Sequence, residues 1–433
     1  MTPLQGQVVR LTKSIRLQPL HSPTSGFAQF FAGKHDPFTF SGGICLTWWF
    51  SADKVHALDA VVALVIKELP KFHDCDPETV SEVVTKTLQE VCFDGAIFKV
   101  DAVFAAQSQT LFDCCAVPVP QFSQAIIDAI DANLRPLIYR LCTLYAIPSF
   151  KVKSFLLEEE SIHIIAKADR AAWQLIVDKG YEFQGWSPER PVFGTREDKL
   201  FSPQFNFECV LVAEEYGTQK GTCFSSILKF RRLIAVLVAV ASTRALYPYL
   251  QSTASPPNFC MQFPHNSDAA GTISRIDCEA LVPFYGDNVP IGSDEALVTE
   301  NWYSTCARCN PDDQRRLEKG AHFLNRAMNS HDIESYLNYF VTLDALFGKR
   351  GAVETSIVAG VKSLGIDSKF SEKTPWLFDL RNEIVHGGSR YVAEWPKYAR
   401  YSQHFRTKPL EDIRALAQFA VLYAPRVLAQ PRP

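Results

Sequence analysis

Apolar positions recur at helical spacing in several separated stretches of the chain, and at strand-like density in others. Residues 55–69 and 77–91 carry the helical pattern, the second opening after Asp76, whose short acidic side chain suits an N-cap. Pro118 and Pro120 break the chain before another helical stretch over 122–144. Residues 1–50, rich in Phe, Thr and Gly, predict short strands and turns. β-branched and aromatic residues predict paired strands over 150–168 and a further strand over 207–213. Residues 181–203 read as a linker or long loop. Residues 225–242 read as a buried helix: the run 233–241 is apolar on every side, follows Arg231-Arg232, and is too short to cross a bilayer. Residues 256–301, which hold Pro256-Pro257, Pro264 and Pro283, read as irregular.

The pattern changes near residue 305. Asn310-Pro311-Asp312-Asp313 combines a capping Asn, a Pro at the first helical position and acids at the positive end of the dipole. Helices are expected at 311–329, 332–347, 352–364, 374–387 and 409–428. Gly348, Gly365 and Gly387-Gly388 stand where helix stops belong. The expected fold class is α+β: a mixed α/β N-terminal region, divided as 1–200 and a continuation or second subdomain over 201–305, then an all-α helical domain over 306–433.

Charge and cysteine usage narrow the function classes. A formal net charge of −3 gives no attraction of the whole molecule to nucleic acid, so any such contact needs a local basic patch. The apolar share of 47% and charged share of 21% are those of a soluble globular protein. Residues 1–6 lack the pattern of an export leader, and the twelve cysteines follow no framework spacing. Reduced thiols, a cytoplasmic location and no membrane association are therefore expected. No P-loop, dinucleotide fingerprint, HExxH or nucleophile elbow is present.

The most informative stretch is Leu380-Arg-Asn-Glu-Ile-Val-His-Gly387. At about 100° per residue, Trp376, Leu377, Phe378, Leu380, Ile384 and Val385 form one apolar arc with Arg381 inside it. Asn382 and His386 share one face at its edge. Arg and His recur at this spacing as Arg16/His21 and Arg326/His331, but Pro19 interrupts the first and the second spans two predicted helices. Within 332–347, Leu337, Phe340, Val341 and Phe347 mark the expected buried stripe, and Asp344 lies on it. A buried ion pair between Asp344 and Arg381 is therefore expected. Lys349, Arg350, Arg390 and Tyr391 flank the motif and are candidate RNA contacts, or ordinary exposed loop residues. Cys306-Ala-Arg-Cys309 has half of a zinc-site spacing, with only Cys278 and His322 nearby, so structural thiols are expected and no metal. The charges around Glu189 and Glu197 read as a surface cluster, and Glu158-Glu159-Glu160 as a solvated face.

Residues 336–348, Tyr-Leu-Asn-Tyr-Phe-Val-Thr-Leu-Asp-Ala-Leu-Phe-Gly, followed by the 380–387 stretch, resemble the HEPN domain, and within it the Apea-like HEPN proteins of bacterial anti-phage defence. The resemblance covers roughly residues 305–430 and nothing before 300. It implies a helical bundle in which an acidic residue, here Asp344 where many relatives carry Glu, precedes an Arg-Asn-x-x-x-His motif. It further implies a metal-independent endoribonuclease without cofactor, leaving a 2′,3′-cyclic phosphate. His386 would move protons, Arg381 would stabilise the phosphorane, and Asn382 would orient His386 or hold a phosphate oxygen. One histidine per chain implies an isologous homodimer with a composite site. The N-terminal region would answer a phage-derived trigger or an inhibitory partner. The alternatives are a HEPN module that binds RNA or nucleotide without cutting, and a dimerisation scaffold.

Overall fold

The computed structural model describes residues 1–19, 27–29, 38–39, 45–51, 56–69, 74–92, 94–99, 110–181, 207–244, 258–267, 273–283, 285, 288–365 and 368–429. It is α+β and divides into two compact units, residues 1–141 with 215–224, and residues 142–214 with 225–433. The boundary expected near 305 falls instead inside a helix, Ser293–Ala307. Most of the stretch read as a linker, with Glu189 and Glu197, lies outside the described residues.

The first unit opens with α1 (Pro3–Ser14), where strands and turns were expected. Its start is a capping box: Gln5 N donates to Thr2 Oγ1 at 3.2 Å while Thr2 N donates to Gln5 Oε1 at 2.8 Å. Four short strands follow, β1 (Ile15–Pro19), β2 (Phe27–Gln29), β3 (Phe38–Thr39) and β4 (Cys45–Ser51). β4 pairs antiparallel with each of the others, for example Ile15 opposite Phe50. Helices α2 (His56–Glu68) and α3 (Pro77–Val91) sit where the periodicity places them, and Asp76 Oδ1 caps α3 by accepting from Thr79 N at 2.8 Å. Helix α4 (Val119–Leu134) stops well before residue 144, because a 3-10 turn around Pro136 ends it. Val61, Val65, Val84, Phe98, Phe122 and Ile126 form the centre of this core.

The second unit takes most of β5 (Tyr139–Ile147), then β6 (Phe150–Val152), β7 (Phe155–Leu157), β8 (Ile162–Ala166), α5 (Arg170–Asp178), and the larger parts of β9 (Cys209–Gly217) and α6 (Gln219–Ser242). The run 233–241 of α6 is buried throughout. The stretch read as irregular contains β10 (Phe259–Pro264), β11 (Ser274–Asp277), β12 (Val289–Ile291) and α7 (Ser293–Ala307). Pro264 closes β10 and Pro290 sits in a short edge pairing, so these prolines punctuate strands without abolishing them. The six-stranded sheet has the order β11-β10-β5-β9-β8-β7, and β12 pairs separately with β6. The chain ends in α8 (Pro311–Met328), α9 (Asp332–Phe347), α10 (Val353–Ser363), α11 (Ser368–Val385), α12 (Tyr398–Phe405) and α13 (Pro409–Leu428). Asn310 caps α8 by accepting from Asp312 N at 3.1 Å and Asp313 N at 2.9 Å. α9 packs against α8, α10, α11 and α13. Leu324, Leu343, Leu377, Leu416 and Val421 are among the buried apolar residues that these helices contribute. α7 also packs on α8 and α13.

Candidate functional site

α11 carries the motif at its C-terminal end. Leu377, Phe378, Leu380 and Ile384 are buried, while Trp376 is half-buried and Val385 is exposed. The helix closes with His386 N donating to Asn382 O at 3.0 Å, Gly387 N to Ile384 O at 3.0 Å and Gly388 N to Glu383 O at 2.8 Å. Gly387 has φ +76°, a left-handed turn that glycine adopts without a Cβ penalty. The chain therefore leaves the axis immediately after His386, whose imidazole is exposed.

Arg381 is half-buried and its Nη1 donates to Asn382 Oδ1 at 3.1 Å. That bond uses the amide oxygen of Asn382 and leaves its NH₂ as the donor end. No ion pair involves Arg381 among the described residues. The expected link to Asp344 is absent: Asp344 is exposed, and a Cβ built on Gly348 would lie 1.8 Å from Asp344 Oδ1. The carboxylate is thus folded over the end of its own helix. The stripe on α9 is rotated from the expected one. Tyr336, Tyr339, Phe340, Leu343, Leu346 and Phe347 are buried, Leu337 is half-buried and Val341 is exposed. Two tyrosines on the core face account for the rotation. The Tyr336 hydroxyl finds a buried partner, donating to Leu377 O of α11 at 2.7 Å.

A different ion pair is buried among these helices. Lys373 Nζ lies 2.7 Å from Asp412 Oδ1 and donates to Thr407 Oγ1 at 3.1 Å, while Tyr401 OH donates to Asp412 Oδ2 at 2.7 Å. Burial, and then the Asp412 carboxylate, push the Tyr401 phenol well above its ordinary value. Lys373 falls just outside the helix that the apolar pattern predicts from 374. The helix starts at Ser368 and carries Pro375 inside it. A signal was available, since 373, 377, 380 and 384 share one helical face.

The candidate RNA contacts do not form one patch. Lys349 and Arg350 are exposed just past the C-terminal end of α9. Beyond the motif, Val392 N donates to the Asp332 carboxylate, with Oδ2 at 3.1 Å, at the N-terminal end of α9. A helix of 16 residues is about 24 Å long. Lys349 and Arg350 therefore stand at the opposite end of α9 from Tyr391, which is exposed, and from Arg390, which is paired with Glu394 at 2.8 Å.

Elsewhere, Cys306 and Cys309 are buried, the Cys309 thiol faces Thr305 O at 3.6 Å, and burial pushes the Cys306 thiol up to about 12. Of the three glutamates read as solvated, Glu160 is instead half-buried against Arg232, which also pairs with Glu318 at 2.8 Å. Burial raises the Glu160 carboxyl despite that neighbour. Sequence reading missed His163, Lys179 and Glu214, which converge across β8, the end of α5 and β9, with Lys179 Nζ 3.0 Å from His163 Nε2. Nothing in their spacing signals the cluster. A cavity of about 370 Å³ lined by Arg244, Glu295, Trp302 and Tyr423 contains none of the motif residues. No helix among the described residues is long and apolar enough to cross a membrane. No protein-family model, curated protein or solved structure matches the chain.

Proposed function

We propose that the chain is a metal-independent endoribonuclease of the HEPN type, acting in anti-phage defence, with its site on α11 and its sensing or restraining function in residues 1–305. The observation that carries this reading is the Arg381–Asn382 pairing one turn before an exposed His386, at a helix end opened by Gly387. The remaining guanidinium donors and the Asn382 NH₂ form a cluster of hydrogen-bond donors suited to phosphate oxygens. In the reaction the RNA 2′-hydroxyl attacks the adjacent phosphorus, a base takes its proton, and the bond to the 5′ oxygen breaks as that oxygen is protonated. His386 of one copy serves as base and His386 of a second copy as acid, which requires a homodimer. Arg381 stabilises the charge that develops on the non-bridging oxygens.

A non-catalytic reading, in which the same donors only hold RNA or a nucleotide, is favoured by the missing Asp344–Arg381 link. One experiment separates the two. Purified full-length protein is incubated with total RNA in EDTA, and product ends are mapped for wild type and His386→Ala. The expected result is chelator-resistant cleavage leaving 2′,3′-cyclic phosphates, lost in the variant. RNA binding without cleavage establishes the binding module, and cleavage surviving His386→Ala removes the site from the reaction.

A further inference from the structure

β10 and β11 pair antiparallel with Cys260 opposite Ile276. Cys278, one residue past β11, therefore lies diagonal to Cys260 on the same face. The two Sγ atoms are 4.0 Å apart, and no disulfide joins them. Cys260 is fully buried, whereas Cys278 is half-buried and so within reach of a small solute. The charged and titratable groups around Cys278 are Arg231 of α6, the neighbouring Asp277 and Glu279, and Tyr145 of β5. Arg231 is held in place by Glu279 at 2.8 Å and Asn325 at 3.4 Å. The hydrogen bond from the Cys260 thiol, then the Arg231 charge, hold Cys278 below the ordinary thiol value. Burial pushes Cys75 up to about 11 and Cys115 to about 12.

We propose that Cys278 is a peroxide-reactive thiolate and Cys260 its resolving thiol, together a reversible dithiol–disulfide site. The Cys278 thiolate attacks one oxygen of hydrogen peroxide, the O–O bond breaks, and the departing hydroxide is protonated to water, leaving a sulfenic acid. Cys260 sulfur then attacks the oxidised sulfur. The S–O bond breaks, a second water leaves with the Cys260 proton, and the Sγ atoms close from 4.0 Å to about 2.05 Å. Two thiols and one peroxide become one disulfide and two waters.

The test treats the full chain with hydrogen peroxide, blocks residual thiols with iodoacetamide and maps peptides without reduction. A Cys260–Cys278 peptide two hydrogens lighter than its parts is expected, reversed by dithiothreitol and formed before Cys306 is modified. Iodoacetamide alone should label Cys278 at least about ten-fold faster than Cys306 at neutral pH. In Cys260→Ser, dimedone should trap a persistent sulfenic acid on Cys278. Wild type showing Cys278 oxidised without the cross-link, or other thiols oxidised first, overturns the proposal, whether or not the variant folds.

Discussion

Lys373 and Arg381 stand about two turns apart on α11, and the helix treats their charges differently. Lys373 is buried and satisfied by Asp412 and Thr407, with Tyr401 holding the other carboxylate oxygen. Arg381 is half-buried and, among the described residues, its one hydrogen bond goes to the amide of Asn382. A charge buried with a full set of partners is fixed by the fold, and removing one partner strands the other. A charge at the surface with donors to spare keeps its electrostatic capacity for something outside the chain. The contrast separates a structural ion pair from a candidate site within one helix, using partners and exposure alone.

The largest effect should come from the structural member. Asp412→Ala leaves Lys373 buried without its counter-charge and is expected to lose about 3–5 kcal/mol of stability, read from denaturant midpoints. A loss below about 1 kcal/mol would erase the distinction. Arg381→Ala should do the reverse, changing stability by less than about 1 kcal/mol while lowering RNA cleavage about 100-fold. Equal damage to folding would place Arg381 with Lys373.

A proton can replace a substitution as the probe. Burial, then the charges of Arg231 and Arg326, hold the His322 imidazole below its ordinary value. The unfolded chain binds that proton near pH 6.5 and the folded chain only at lower pH. Stability should therefore fall as pH drops below about 6.5. His322→Gln should flatten that slope in urea titrations; an unchanged slope would mean that the imidazole is not held neutral. The smallest effect belongs to Asp344→Asn, expected within about 0.5 kcal/mol of wild type because the carboxylate is exposed and has no ion pair among the described residues. A loss of several kcal/mol would restore the pair with Arg381.

Legibility followed the range over which each signal acts. The cap at Asn310, the helices α8 to α10 and the buried run of α6 are local patterns, and the structure holds them close to where the periodicity places them, whereas α11 begins at Ser368, ahead of the expected 374. α1 was missed because its capping box lies in a stretch whose composition suggests strands. α7 was not expected because it begins within a proline-rich stretch whose composition suggests irregular backbone. Within the site, Arg381, Asn382 and His386 are close in sequence and so legible together. His163–Lys179–Glu214 is assembled by tertiary packing, which leaves no trace in spacing, and for Lys373–Asp412 the spacing marks only the place of Lys373 on the buried face, not its partner. The stripe on α9 lies one position from the expected one because Tyr336 and Tyr339, which combine an apolar ring with a hydroxyl, sit on the core face.

The hydroxyl of Tyr336 has a consequence beyond its own burial. Apolar helix faces grip one another without regard to axial position, and one helix can slip a turn along another, about 5.4 Å, with little change in the area covered. The bond from Tyr336 to the Leu377 carbonyl has a direction and a length of 2.7 Å, so a slipped arrangement forfeits it in a place no water reaches. It acts as a register pin between α9 and α11, and so fixes the axial position of Arg381, one turn beyond Leu377, relative to α9.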